Sequence, residues 1–261
     1  FQSELRLHAI RNQMIPKSKP KDGRFGTGED RPILEPTFKL ALPPNVGATP
    51  RLGGLAAFGG TIVVSLPASQ RLLFIDDRAH RVIGQAKLPS PRGIAFDASG
   101  RLLVISDQKI LRFEHLELPA AASTTQPTSD NTPDITLPAS EVVVADLDAP
   151  QQLCVTGDGS IFVSLWGQSQ QVDVYSANGK LIRTIGRKGT LQIGPYDQQQ
   201  MQKPLGLAVA PDGKLWVAEN DSLPKRLSIW NDDGTFDRAY YGPPKYGAGG
   251  SINPVDPARY F

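Results

Sequence analysis

Pro204-Leu205-Gly206-Leu207-Ala208-Val209, Gly213, Leu215-Trp216-Val217-Ala218 and Arg226-Leu227-Ser228-Ile229-Trp230 form the stretch on which the fold turns. It reads as three short strands. The first two are joined by Pro211-Asp212-Gly213, where Gly supplies the positive φ of a tight hairpin. The third alternates polar and apolar residues, as a half-buried strand does.

The same register recurs upstream. Leu52-Gly53-Gly54-Leu55-Ala56-Ala57 leads through Gly60 to Ile62-Val63-Val64-Ser65. Pro91-Arg92-Gly93-Ile94-Ala95-Phe96 leads through Gly100 to Leu102-Leu103-Val104-Ile105. Pro150-Gln151-Gln152-Leu153-Cys154-Val155 leads through Gly159 to Ile161-Phe162-Val163-Ser164. Third strands follow at Arg71, Lys109, Gln171 and Arg226, and a fourth is visible at Lys180 to Ile185. The turn glycines at 60, 100, 159 and 213 are spaced by 40, 59 and 54 residues. A four-stranded unit of about 40–45 residues is the period of a propeller blade. The longer spacings hold insertions, Pro119–Pro138 and Gly186–Lys203. The first is rich in Ala, Ser, Thr, Pro and Asp and is expected to be a solvated loop.

Composition agrees. The 25 Gly and 23 Pro in 261 residues leave no stretch longer than Arg101–Leu118 without either, which excludes long helices. Lys+Arg is 28 and Asp+Glu 26, so a net charge of +2 asks for no polyanionic partner. One cysteine, Cys154, allows no internal disulfide and no Cys-based zinc site. No apolar run reaches the ~18 residues of a membrane span. The chain opens on Phe1 without a basic-then-apolar leader and ends Arg259-Tyr260-Phe261, so a fragment or processed piece of a longer protein is expected.

The pattern Pro-x-Gly-[Ile/Leu]-Ala-[Phe/Val], then Gly-x-Leu-x-Val, then Lys225-Arg226-Leu227-Ser228-Ile229-Trp230, resembles the NHL-repeat β-propellers, in particular bacterial NHL repeat-containing proteins. The resemblance runs from Arg51 to Phe261. It implies an all-β, six-bladed propeller of which this chain covers about four blades. Residues 51–261 form the blades, with the inserted loop at 119–138. Residues 1–50 are expected to be a partial blade or a connecting segment. Many such proteins look exported, so the resemblance favours an extracytoplasmic location. It also implies that Cys154, in register with Ala95 and Ala208, is a small core residue, and that Trp216, in register with Phe162 and Leu103, packs between blades.

Chemistry is sparse. His8, His80 and His115 stand apart, with no metal spacing and no nucleophile–base arrangement. Gly26-Thr27-Gly28 and Gly247-Ala248-Gly249-Gly250 lack the Lys of a phosphate loop. Glu219-Asn220-Asp221 ends a second strand with three hard oxygen donors, but neighbours on an extended segment point to opposite faces, so at most two share an ion. Lys17, Lys19, Lys21 and Arg24 read as a solvated loop. Lys225-Arg226 opens a third strand, where Arg226 is expected to pair with Glu219 or Asp221.

The expectation is a non-catalytic binding or scaffold propeller. It contacts a protein, small-molecule or glycan ligand at a loop rim, without a cofactor or catalytic residues. The binding candidates are Glu219, Asn220, Asp221, Lys225, Arg226 and Trp166, none assigned as a metal ligand. One alternative is a divalent-metal-assisted, lactonase-like hydrolase built on Glu219 and Asn220. A further alternative, disfavoured by the balanced charge, is an RNA-binding NHL propeller that would use Lys225, Arg226, Arg187 and Lys188.

Overall fold

The computed structural model describes residues 4–7, 38–46, 50–116, 132–190, 197–220 and 226–241. Their first sheet is a two-stranded pair, β1 (Glu4–Leu7) with β2 (Phe38–Ala41). Four four-stranded sheets follow. Blade 1 holds β3 (Gly54–Phe58), β4 (Thr61–Leu66), β5 (Arg71–Asp76) and β6 (Arg81–Lys87). Blade 2 holds β7 (Pro91–Phe96), β8 (Leu102–Ser106), β9 (Lys109–Phe113) and β10 (Ser140–Val144). Blade 3 holds β11 (Pro150–Val155), β12 (Ile161–Leu165), β13 (Val172–Tyr175) and β14 (Leu181–Ile185). Blade 4 holds β15 (Pro204–Val209), β16 (Leu215–Glu219), β17 (Arg226–Trp230) and β18 (Phe236–Tyr241). Every strand pairs antiparallel with the next, so each sheet is a meander in sequence order.

The first strands of successive sheets touch, β3 against β7, β7 against β11 and β11 against β15. Alternation along each second strand sends its side chains to the two neighbouring sheets. Val63, Leu72 and Phe74 meet Leu102, Val104 and Phe113 between blades 1 and 2. Leu103 and Ile105 meet Ile161, Val163 and Leu165 between blades 2 and 3. Phe162, Val172 and Val174 meet Leu215, Val217 and Trp230 between blades 3 and 4. Sequential sheets packed face to face, first strands together, make a β-propeller with four blades among the described residues.

The repeat residues carry this geometry. Gly60, Gly100, Gly159 and Gly213 adopt φ between 80° and 85° at one hairpin position. The Gly of Pro-x-Gly serves the axis. A Cβ on Gly93 would stand 2.6 Å from Cα of Gln152, and one on Gly54 2.9 Å from the carbonyl oxygen of Arg92. Both contacts are backbone that cannot yield, so these glycines let adjacent first strands close up.

Two features go beyond the sequence reading. Within residues 133–137 of the first insertion, expected to be a solvated loop, Pro133, Asp134 and Thr136 are exposed but Ile135 and Leu137 are partly buried. Ile135 donates its N–H to Gln85 O at 2.6 Å, and Gln85 donates back to Pro133 O at 2.9 Å, beside the edge strand β6. Ile135 and Leu137 join the core between blades 1 and 2, and Gly84 leaves the space that Ile135 fills. Secondly, Leu40, Leu42 and Val46 cover the outer face of blade 1. The described residues contain no α-helix, and among them no helix is long and apolar enough to cross a membrane.

Candidate functional site

In blades 1 to 3 the loops between second and third strands, and in all four blades the segments leading into the first strand, gather on one rim. Blade 4 shows what this rim does when its charges are paired. Glu219 ends β16 and Arg226 opens β17, and Arg226 Nε lies 3.0 Å from Glu219 Oε1 with both side chains 1% exposed. Further hydrogen bonds surround the pair. Glu219 Oε2 accepts from Gln202 N at 2.8 Å, and Oε1 accepts from Ser228 Oγ at 3.0 Å. Ser228 Oγ accepts in turn from Trp230 Nε1 at 3.0 Å. Arg226 donates to Gln200 O at 3.0 Å and Gln198 O at 2.6 Å, and its guanidinium lies 5.5 Å from the Phe236 ring centroid. The expected pairing with Glu219 is therefore present, and it clamps the second insertion onto the blade. Such a network is stable because each buried charge has its partners.

Of the other binding candidates, Asn220 is exposed and donates its backbone N–H to Lys203 O at 2.9 Å. Trp166 is half-buried, and its indole N–H is spent on Pro204 O at 2.7 Å. It stitches blade 3 to the start of blade 4. Asp221 and Lys225 lie outside the described residues, as do His8 and the Lys17 cluster. Of the cations invoked for RNA, Arg187 pairs with Asp197 at 2.8 Å, while Lys188 is exposed. Among the described residues no group of three His, Cys, Asp or Glu is placed so that it could hold a metal ion.

The structure assembles a different place, which the sequence reading missed. A cavity of about 450 Å³ opens on the rim between blades 2 and 3. Its walls come from three turns: Ser90 and Arg92, then Asp107-Gln108-Lys109, then Asp146 with Ala149-Pro150-Gln151. Arg92 donates Nη1 to Gln151 Oε1 at 2.8 Å, and the buried Gln151 is held by Ala149 O at 2.8 Å. That leaves the other guanidinium N–H groups without a partner among the described residues. The side chains of Asp107, Lys109 and Asp146 have none at all among the described residues. Arg112, Arg101, Lys214 and Arg183, by contrast, each reach a carboxylate.

Among the described residues eight non-glycine residues hold positive φ, and four of them wall this cavity: Ser90 at 39°, Asp107 at 52°, Asp146 at 56° and Ala149 at 53°. Ser90 and Ala149 precede the leading prolines of blades 2 and 3 as Lys203, at 47°, precedes that of blade 4, so their left-handed backbone belongs to the blade repeat. A second cavity of about 380 Å³ lies beyond the same connector, lined by Asp146, Asp148, Asp173 and Lys188.

Register explains why the two rims differ. Lys109 opens β9 as Arg226 opens β17, and Ser106 ends β8 as Glu219 ends β16. In blade 4 the residue two before the leading proline is Gln202, whose N–H meets the carboxylate. In blade 2 that residue is Pro89, which has no N–H to give. Its carbonyl instead takes the Ser106 hydroxyl at 2.7 Å. With no acid at 106, Lys109 turns to the cavity. The sequence did carry a signal, the loss of the acidic second-strand end at Ser106.

Away from the rim, burial pushes the Cys154 thiol up to about 12, with a backbone hydrogen bond from Val209 a smaller opposing effect. A thiol raised in this way carries little thiolate near neutral pH. Burial also raises Tyr175, helped by the charge of Asp173, whose carboxylate takes its hydroxyl at 3.0 Å.

No protein-family model matches the chain, and comparison with curated proteins gives no match. Among solved structures 532 chains match, a breadth that marks a common architecture without an activity. One is hydrazine synthase of Kuenenia stuttgartiensis, at 16% identity and a TM-score of 0.49, covering 74% of this chain and 49% of that one. Another is a protein of unknown function from Bacteroides caccae, at 16% identity and a TM-score of 0.52, covering 79% and 65%. The chain thus spans about half to two thirds of the length of these two structures. Identity at this level is a likeness of fold alone.

Proposed function

We propose that the chain is a non-catalytic binding propeller of the NHL type, part of a six-bladed ring, and that the rim cleft between blades 2 and 3 holds its ligand. One observation carries this reading. Arg92, Asp107, Lys109 and Asp146, all exposed, wall a single cavity without pairing with one another. Charges placed this way gain their partners when a ligand arrives. Blades make good holders because they fix short loops on a rigid frame. On the same rim, Asn220 adds a second contact region, for which Glu219, Arg226 and Trp166 are the frame; Asp221 and Lys225 stay candidates from the sequence alone.

The test is a thermal-shift screen of the full chain against amino acids, peptides, sugars and nucleotides. Amide hydrogen exchange is then measured with each stabilising compound. Protection at 107–109 and 146–151, with no product by mass spectrometry, supports the reading. Protection confined to another surface, or turnover of a bound compound, contradicts it.

A further inference from the structure

The cleft presents both signs of charge together, Arg92 and Lys109 against Asp107 and Asp146. We propose that it takes a small zwitterion, an amino acid or peptide of up to about three residues. The ligand's carboxylate lies at Arg92 and Lys109, and its ammonium at Asp107 and Asp146. This rests on the cleft being the binding site. A simple anion would face two aspartates, and a simple cation would face two basic side chains. All four residues are exposed, and a neutral sugar would offer them hydrogen bonds in place of water but no counter-charge. A ligand with both signs gives each of the four a charge-assisted partner.

The geometry adds two further arguments. Gln151 fixes Arg92 through Nη1 alone, so the guanidinium is oriented while its remaining N–H groups stay available. A pre-oriented guanidinium suits a carboxylate and loses little freedom on binding. The volume, about 450 Å³, lies in the range of small-ligand pockets. It is too small for the face of a folded partner.

Calorimetric titration of the full chain with four probes decides: triglycine, N-acetyl-triglycine, triglycine amide and maltose. Triglycine is expected to bind, and each end-blocked form to bind about tenfold more weakly or worse, as losing a charge-assisted hydrogen bond implies. Arg92→Gln is expected to erase the preference for triglycine over its amide. Asp146→Asn is expected to erase the preference over the N-acetyl form. Lys109→Gln is a second probe of the carboxylate end at an exposed side chain. Equal affinity for triglycine and both blocked forms overturns the proposal, as does no binding of triglycine at all. Maltose binding that is lost in Arg92→Gln overturns the zwitterion while leaving the cleft as the binding site. Binding of any probe that is unchanged in all three variants overturns both.

Discussion

Blades 2 and 4 place a cation at the same point of the same rim and use it differently. In blade 4, Arg226 is buried against Glu219 and ties down the insertion that precedes β15. In blade 2, Lys109 stands at the mouth of a cavity with no partner among the described residues. One substitution of register, Ser106 for Glu219, separates the two outcomes, and Pro89 in place of Gln202 makes the serine the better fit. In blade 4 the acidic second-strand end turns the cation into structure; in blade 1, where Leu66 holds that place, Arg71 reaches Asp134 at 3.4 Å instead, and in blade 2 Lys109 finds no carboxylate among the described residues.

The comparison breaks most visibly at Glu219. Glu219→Ala leaves Arg226 buried without its carboxylate and removes the acceptor of Gln202 N and Ser228 Oγ. Loss of one partner from a buried pair costs about 3–5 kcal/mol. Urea unfolding of wild type and variant measures it. A loss below about 1 kcal/mol would mean the network contributes little. Ser106→Ala removes one hydroxyl donor to Pro89 O. It is expected to cost only about 1 kcal/mol in the same assay.

A smaller effect is expected with pH. Burial alone would raise the Asp97 carboxyl, but hydrogen bonds from the Arg101 and Ser99 backbone and the Arg101 side chain win and hold it below the usual carboxylate range. A group with a depressed folded pKa stabilises above its unfolded value and loses that contribution as pH falls through the folded one. Asp97→Asn should therefore lower stability near neutrality and flatten its decline below about pH 4. Thermal melts across pH check this, and an unchanged slope would contradict it. Least affected of all is Cys154, whose buried thiol should resist iodoacetamide at pH 8 in the folded chain and react once urea unfolds it. Mass spectrometry reads the adduct.

The blades were legible because each writes its turn glycine and leading residue into the chain at fixed offsets, and Gly60, Gly100, Gly159 and Gly213 all take the backbone that only glycine adopts cheaply. The Glu219–Arg226 pair was legible because its members lie close in sequence and nothing has to fold around them to suggest it. The cleft was not. Its charges come from residues 92, 107, 109 and 146, on three turns of two blades, and each turn read singly is an ordinary polar loop. Ile135 was missed for a related reason. Two apolar residues in a Pro-, Ser- and Thr-rich insertion find their partner on β6, some 50 residues upstream.

The most direct test sets the two equivalent cations side by side. Arg226→Ala and Lys109→Ala are unfolded under the same conditions as wild type. Arg226→Ala is expected to lower the melting temperature by roughly 10 °C, from a loss of about 3–5 kcal/mol. Lys109→Ala is expected to stay within about 1 °C, as an exposed, unpaired side chain should. A comparable fall in both variants, or in neither, would contradict the division of the rim into a structural half and a recognition half.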